Sequence, residues 1–231
     1  MRTIGILLSR IDSSRLPRKA LLDVGGIPLI QCVALRARNI INLGALVLAT
    51  TSRPIDDVLV QWAESLRIEV FRGEVDDVVG RVISCMRKFD ATHALRLNGD
   101  SPFLDFNAVS HALNILDGQE TDLVTNLIPR MYPYGMAIEI FSLGALERAS
   151  ATMQMGEREH VTSYFYRSHH DFNIMSLPPP PLDMSSIRLV VDDERDLVMA
   201  RAIVAELHGR FATATSTEII QAYQCIKNRS H

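Results

Sequence analysis

Several cations follow the first apolar run of this chain at close spacing. The stretch LLSRIDSSRLPRKALLDVGG carries Arg10, Arg15, Arg18 and Lys19. Small hydroxyl side chains and loop amides can form a concave nest for an anion, and guanidinium and ammonium groups can neutralise several phosphate charges together. The pattern therefore predicts a polyphosphate site that includes Ser9 and Ser14. A solvated basic loop is the alternative.

Two acidic residues follow apolar runs further along the chain. Asp100 ends HALRLNGD, and Asp192 follows SIRLVV. Ligands in open parallel sheets bind beyond the carboxyl ends of the strands, and Mg²⁺ takes one or two carboxylates and completes its shell with phosphate oxygens and water. We predict that Asp100 and Asp192 hold Mg²⁺. The neighbouring Asp193 is better suited to capping the helix after it.

Several common chemistries have no support in the sequence. It contains neither GxxxxGK[ST] nor GxGxxG after the first strand, which disfavours a P-loop kinase and an NAD-dependent dehydrogenase. Glu157 and His160 form one ExxH pair, whereas a carboxylate-bridged di-iron site needs two. The cysteines, Cys32, Cys85 and Cys225, are widely separated, which favours reduced thiols over a disulfide frame or a zinc site.

The elements that must position these groups alternate along the chain. Strands are predicted over residues 3–9, 44–51, 69–73, 93–100, 122–127, 135–142 and 186–191. Helices are predicted over residues 28–41, 58–66, 76–89, 106–116, 142–149, 158–167, 194–207 and 217–227. Apolar strands separated by helices indicate an α/β fold, doubly wound, with a mostly parallel sheet.

Composition bounds the class of protein. The chain has 231 residues, 47% of them hydrophobic and 22% charged, and a formal net charge of -3. It can form one sizeable core, and we expect a single domain over 1–231. The charge gives no overall attraction to nucleic acid or to an anionic membrane. The absence of a signal-peptide pattern and of a membrane-length apolar run favours a cytoplasmic protein.

Six sequence blocks, in order over almost the whole chain, resemble a known family. They are SRIDSSRLPRK with GGIPLI, LATTSRPIDD, FRGEVDDVVGR, LRLNGDSPFLD, EREHVTSYFY and RLVVDDERDL. Together they are similar to the spore-coat polysaccharide (SpsF-like) type of cytidylyltransferase, a relative of the CMP-KDO and CMP-acylneuraminate synthetases. The resemblance implies a nucleotide-diphospho-sugar transferase fold, a Rossmann-like three-layer sandwich. It also implies transfer of CMP from CTP to a sugar or sugar acid with release of pyrophosphate.

The resemblance also implies roles for individual residues. Arg10, Arg15 and Lys19 would hold the triphosphate and Asp100 and Asp192 the Mg²⁺, so that Arg10, Lys19, Asp100 and Asp192 carry the catalysis. The remaining nucleotide contacts would come from Ser9, Ser14, Ala49, Thr50, Thr51, Arg72 and Asn98. The sugar acceptor would face Arg96, Glu157, Arg158 and His160.

The resemblance implies an acceptor-binding or dimerisation subregion over 130–182, and the chain departs from the family pattern within it. It has YPYGMAIE over 132–139, where the family carries YPDGLDVE, so that Tyr134 and Ala137 replace two acids. A glycosyltransferase or uridylyltransferase on the same fold and a non-catalytic nucleotide-binding homologue remain alternatives. We also expect a homodimer, because 135–142 alternates like a half-exposed strand and an aromatic helix follows it.

Overall fold

A single seven-stranded sheet organises the part of the chain described by the computed structural model, residues 2–12 and 15–229. Its strands are β1 (Thr3–Leu8), β2 (Ala45–Thr51), β3 (Glu69–Gly73), β4 (His93–Asn98), β5 (Leu123–Thr125), β6 (Glu139–Ser142) and β7 (Ile174–Ser176). The order across the sheet is β3-β2-β1-β4-β6-β5-β7. Strand β6 runs antiparallel to both of its neighbours, and the other described pairs are parallel.

Helices connect most of these strands. They are α1 (Leu29–Ala37), α2 (Asp57–Ser65), α3 (Val78–Lys88), α4 (Phe106–Leu116), α5 (Leu143–Thr152), α6 (Ser163–Arg167), α7 (Glu194–Glu206) and α8 (Ser216–Arg229). Several begin at a residue whose side chain accepts a hydrogen bond from the first turn, as Ser and Asp do at helix N-termini. These caps are Asp77 for α3, Asp105 for α4, Ser142 for α5 and Asp193 for α7. The predicted capping role of Asp193 is confirmed.

The sheet is covered on both faces, as the apolar strands predict. Leu7 of β1 packs in a cluster with residues of α1, α2 and α4. Ile4 and Ile6 point to the opposite face, where α3, α5 and α6 pack, because successive side chains of a strand alternate between faces. A third cluster places α7 and α8 against Leu29 and Cys32 of α1. The predicted doubly wound α/β fold is confirmed.

A fully buried arginine joins this third cluster to the sheet layer. Arg36 Nε donates to the Leu104 carbonyl at 2.8 Å, and its Nη1 donates to the Phe211 carbonyl at 2.7 Å. Its guanidinium lies 5.0 Å from the centroid of the Phe106 ring. Burial lowers the pKa of Arg36 to about 10, since a low-dielectric environment disfavours the charged form. The C-terminal segment is thereby fastened to α1.

Strand β1 lies at the switch point of the sheet. The crossover from β1 leads to β2 on one side, whereas β4, which comes later in the chain, pairs with β1 on the other side. The loops that follow β1 and β4 therefore diverge over opposite faces and leave a crevice between them. The cationic loop follows β1 and Asp100 follows β4. The fold brings both to one edge of the sheet.

The prediction of a half-exposed strand over residues 135–142 is wrong. The strand is confined to β6, which lies inside the sheet between β4 and β5 and is buried on both faces over most of its length. Gly135 begins the segment with a φ of 105°, where an added Cβ would lie 2.5 Å from the Leu189 carbonyl oxygen. Phe165 of α6 is buried within the same chain. Homodimerisation therefore remains a prediction that has lost its original support.

The predicted strand over 186–191 also does not form. Its contact with other chain segments includes an isolated bridge between Tyr134 and Arg188. The neighbour of β4 on the side away from β1 is β6. Ile187, Leu189 and Val191 are buried because they pack against α7 and α8. The segment is therefore apolar because it is buried, although it is not a strand of the sheet.

Two smaller differences concern the segment between α5 and the proline run. The helix predicted over 158–167 is restricted to α6, because the Arg158 carbonyl accepts the backbone amide of Val79 and is withdrawn from helix pairing. The short edge strand β7 was not predicted.

None of the helices within the described ranges combines the length and apolarity needed to cross a membrane.

Candidate active site

A cleft of about 340 Å³ opens at the carboxyl ends of β1 and β4. One part of its wall comes from the ends of these strands and the other from the segments around residues 127–139 and 190–192. Its lining includes Arg15, Arg96, Asn98, Asp100, Arg130, Tyr132, Tyr134, Ala137, Glu139 and Asp192. Of the predicted catalytic and metal-binding residues, Asp100 and Asp192 line it. The remainder of this wall mixes aromatic rings with charged groups, as binding sites for polar ligands do.

Lys19 joins the two aspartates. Its Nζ donates to Asp100 Oδ2 at 2.7 Å and to Asp192 Oδ1 at 3.2 Å, and it lies 3.4 Å from the Val191 carbonyl oxygen. The Lys19 side chain is 19% exposed. Because one ammonium group spans both carboxylates, the first loop and the two distant acids converge at one point.

Asp192 is surrounded by further cations. Arg15 Nη2 donates to its Oδ1 at 3.1 Å, and Arg188 Nη2 donates to its Oδ2 at 3.0 Å. Arg188 also contacts Asp196, with Nε 2.8 Å from Oδ1. Burial raises the pKa of Asp196, but the hydrogen bonds from Arg188 and the Asp192 amide outweigh it and leave the pKa below its ordinary value.

Local backbone geometry brings these groups together. A short 3-10 helix over Lys19–Leu21 begins after Arg18, whose φ of 56° lies in the left-handed region. Gly99 lets the ends of β1 and β4 approach each other, since an added Cβ would lie 2.9 Å from Ser9 Oγ. The Val191 amide donates to the Asp100 carbonyl at 2.9 Å. This bond, rather than sheet pairing, places Asp192 beside Asp100.

The two carboxylates fit a magnesium ion in part. Both carboxylates contact the same cation, the Lys19 ammonium. Carboxylate oxygen is also the ligand that Mg²⁺ prefers. Within residues 2–12 and 15–229, no further acid, histidine or cysteine completes a cluster of three that could hold a metal. An ion shared by Asp100 and Asp192 would therefore need phosphate oxygens or water for the rest of its shell, which is the usual arrangement for Mg²⁺ with a nucleotide.

The first part of the loop faces a different neighbour. Arg10 lies 3.4 Å from Glu159 Oε1 and 3.5 Å from Asp12 Oδ1. Ser9 borders Gly99 at the end of β4. Ser14, also predicted to contact nucleotide, lies outside the described residues. The roles of Arg10, Ser9 and Ser14 at the triphosphate stay predictions.

The residues predicted to line the base lie at the end of β2 and on β3. Ala49, Thr50 and Thr51 are buried, and the Thr51 hydroxyl is bonded to Asp56. Arg72 Nε donates to the Thr51 carbonyl at 3.0 Å. This contact joins β2 to β3. Among the described residues, the lining of the cleft includes none of these four side chains, and base recognition by them stays a prediction.

Arg96, predicted to face the acceptor, lines the cleft as part of a polar network. Its Nη1 donates to Glu139 Oε2 at 2.6 Å and to Thr162 Oγ1 at 3.1 Å. The Tyr166 hydroxyl donates to Glu139 Oε1 at 2.8 Å, and burial raises the pKa of Tyr166. Glu139 is 2% exposed and its charge is compensated by Arg96. The network fixes the floor of the cleft.

The other predicted acceptor residues lie on the segment before α6. Glu157 pairs with Arg167, and Arg158 Nε donates to Asp77 Oδ1 at 2.8 Å. His160 is exposed. Among the described residues, the lining of the cleft does not include these three side chains. Their contact with an acceptor stays a prediction.

Sequence reasoning missed three charged residues that shape the site. Arg188 contacts Asp192, Glu139 holds Arg96, and Asp56 is fully buried at the start of α2. An arginine or glutamate inside an apolar run, as in SIRLVV and AIEIF, was the available signal, because a charge buried in such a run needs a partner. Asp56 gave no such signal, since acids are common at helix N-termini.

Comparison with known proteins agrees with this geometry. The family model described as Cytidylyltransferase matches residues 4–223. The spore coat polysaccharide biosynthesis protein SpsF of Bacillus subtilis is 25% identical over 222 residues, covering 93% of this chain and 91% of that protein. The 3-deoxy-manno-octulosonate cytidylyltransferase of Brucella ovis is 31% identical over 202 residues, covering 79% of each chain.

A solved structure of a cytidylyltransferase is also similar to this chain. The structure of a cytidylyltransferase from Leptospira borgpetersenii superposes with a TM-score of 0.92 at 26% identity, covering 100% of this chain and 96% of that one. The family model spans nearly the whole sequence, and the fold is that of the nucleotide-diphospho-sugar transferases. This chain belongs to the cytidylyltransferase family and is a nucleotidyltransferase.

Proposed function

We propose that the chain is a Mg²⁺-dependent enzyme of the cytoplasm that transfers CMP from CTP to a sugar or sugar acid, with release of pyrophosphate, for surface polysaccharide synthesis. The observation that carries the proposal is that Lys19 joins Asp100 and Asp192, the two carboxylates that line the cleft between β1 and β4. A cationic side chain and two carboxylates at one point suit a ligand made of phosphates and a metal ion.

The reaction needs no covalent nucleophile from the protein. An acceptor hydroxyl oxygen forms a bond to the α-phosphorus and its proton passes to water, while the bond from that phosphorus to the bridging oxygen breaks and pyrophosphate leaves with the electron pair. Lys19 and Arg15 would bind phosphate oxygens and stabilise the charge that develops on them. Asp100 and Asp192 would hold Mg²⁺, which supplies charge neutralisation at the phosphates when bound.

The remainder of the cleft supports a sugar acceptor. Tyr132 and Tyr134 offer ring faces, while Arg96 and Glu139 offer hydrogen-bonding groups held by their mutual ion pair. Apolar rings with a few fixed polar groups are typical of small polar ligand sites. The names of two relatives, a polysaccharide biosynthesis protein and a cytidylyltransferase for a sugar acid, support the same acceptor class.

The test is pyrophosphate release by the purified chain. CTP, UTP, ATP and GTP are each supplied with Mg²⁺ and a panel of neutral sugars and sugar acids. We expect release with CTP and at least one acceptor, and loss of release on chelation. Lys227→Met, at an exposed position of α8, serves as the control for Lys19→Met.

Each alternative has its own outcome. Release with UTP in place of CTP would indicate a uridylyltransferase, and consumption of a preformed nucleotide-sugar would indicate a glycosyltransferase. A rise in melting temperature with CTP but no pyrophosphate for any acceptor would indicate a nucleotide-binding homologue without turnover. Any of the three would contradict the proposal.

A further inference from the structure

Asp56 is a fully buried carboxylate whose contacts lie mainly outside its own helix. It is 0% exposed. Its Oδ1 accepts the backbone amide of Ile11 at 2.7 Å, and its Oδ2 accepts the Thr51 hydroxyl. Arg53 Nη2 lies 3.5 Å from the same Oδ2. The carboxylate thus joins the start of the cationic loop to the end of β2.

This arrangement differs from that of an ordinary acid at a helix N-terminus. Such a side chain usually accepts amides from the first turn of the helix that it begins. Asp56 makes no such cap for α2 among the described residues. Because burying a charge costs free energy unless the charge is paired and hydrogen-bonded, its contacts with Ile11, Thr51 and Arg53 are what make its burial possible.

A second contact holds the same segment beside the bond between Asp56 and the Ile11 amide. Arg53 Nη1 donates to Asp12 Oδ2 at 2.6 Å. This hydrogen bond from Arg53 lowers the pKa of Asp12. The Ile11 side chain is itself buried in the core beneath the loop. The segment Ile11–Asp12, where the loop leaves β1, is therefore held by a buried carboxylate through its backbone and by Arg53 through a side chain.

We propose that Asp56 is a positioning residue for the triphosphate, acting through the Ile11 amide; this rests on the proposed function of the loop. Asp56 does not line the cleft among the described residues. It holds the backbone at Ile11, next to Arg10 and at the start of the loop that leads to Arg15 and Lys19. A loop fixed before binding loses less conformational entropy when the ligand arrives.

This role predicts a selective effect on nucleotides. The loop cations would meet the charge of the triphosphate, whereas CMP offers a single phosphate. Loosening the loop should therefore weaken CTP binding and leave CMP binding nearly unchanged. A residue that only stabilised the fold would lower the melting temperature without changing the preference for CTP over CMP.

The experiment measures the affinities of the full chain for CTP and CMP by calorimetry. Asp56→Ala removes the acceptor of the Ile11 amide, and we expect at least tenfold weaker CTP binding with CMP binding within about twofold of wild type. Asp56→Asn keeps an acceptor oxygen and should restore the CTP preference to within about threefold. Glu64→Gln removes an exposed carboxylate from the same helix and should change neither.

A further variant keeps the test decisive if Asp56→Ala does not fold. Arg53→Gln, at a partly exposed position, cuts the tie to Asp12 and should lower the CTP preference about threefold. Amide exchange of Ile11 should be faster in every variant that loses preference. Unchanged preference in the folded Asp56→Ala variant, or in Arg53→Gln where Asp56→Ala does not fold, would overturn the inference alone. A wild-type chain without preference for CTP over CMP would overturn the proposed function as well.

Discussion

Replacing Lys19 by methionine should change two affinities in opposite directions. The ammonium lies 2.7 Å from Asp100 Oδ2 and 3.2 Å from Asp192 Oδ1, where a divalent ion would bind in our proposal. A metal ion that enters the nucleotide-free protein must displace this ammonium from both carboxylates. A triphosphate, in contrast, gains the ammonium as a partner for its own oxygens.

The magnitudes follow from these contacts. At an effective dielectric constant of about 20, each contact supplies roughly 5 kcal/mol of direct attraction, most of it offset by desolvation. We expect Mn²⁺, used as the probe ion, to bind nucleotide-free Lys19→Met about tenfold more tightly, which corresponds to about 1.4 kcal/mol. Loss of the cation from the phosphates should cost about 3 kcal/mol, or on the order of a hundredfold in the rate of pyrophosphate release.

Calorimetry with Mn²⁺ alone and with CTP in the presence of Mn²⁺ measures the two affinities, with Lys227→Met as the control. CTP should bind more weakly to Lys19→Met. If Lys19→Met weakens Mn²⁺ binding as well, the metal does not use the carboxylates that the ammonium occupies. If CTP binding is unchanged, Lys19 does not contact the triphosphate.

Three further outcomes concern stability and reactivity. Arg36→Leu should lower the free energy of unfolding by about 2–4 kcal/mol, because two buried carbonyls lose their donor; denaturant titration measures it. Hydrogen bonds from the Thr215 amide and from the Arg210 guanidinium lower the pKa of Glu218 from 4.5 to about 2. The stabilisation by the ionised Glu218 is therefore present above pH 4.5 and is lost as the pH falls towards 2. Glu218→Gln should make the free energy of unfolding less dependent on pH in this window. Burial raises the pKa of Cys32 and Cys85 to about 12, so an alkylating reagent should modify Cys225 first in the folded protein.

Each of these outcomes can fail clearly. An Arg36→Leu chain as stable as wild type would show that its two carbonyls find other donors. An unchanged acid-unfolding profile for Glu218→Gln would place the acid sensitivity at other carboxylates. Alkylation of Cys32 or Cys85 as fast as that of Cys225, followed by peptide mass analysis, would contradict their burial.

The first half of the fold was predictable because local pattern and final pairing agree there. Strand β3 and helix α4 have the bounds that the sequence predicts, since turn residues and caps mark their ends. In the second half, an apolar segment can be buried without pairing as a strand of the sheet. The run 186–191 is apolar because it lies beneath α7 and α8, and periodicity cannot distinguish that environment from a sheet.

The convergence of Asp100 and Asp192 was predicted for a reason that is partly wrong. Asp100 does follow a strand of the sheet, at the end of β4. Asp192 reaches it through a backbone bond between Val191 and Asp100 after an irregular segment. Such a long-range bond leaves no local trace in the sequence. The burial of Asp56 could not be predicted either, because its partner Ile11 is 45 positions away.

The most direct test of the central claim is anomalous diffraction from crystals grown with Mn²⁺ and a non-hydrolysable CTP analogue. We predict a manganese peak between the carboxylates of Asp100 and Asp192, with Lys19 Nζ moved onto a phosphate oxygen. A peak elsewhere, or a nucleotide bound outside the cleft between β1 and β4 while Lys19 keeps both aspartates, would contradict the account.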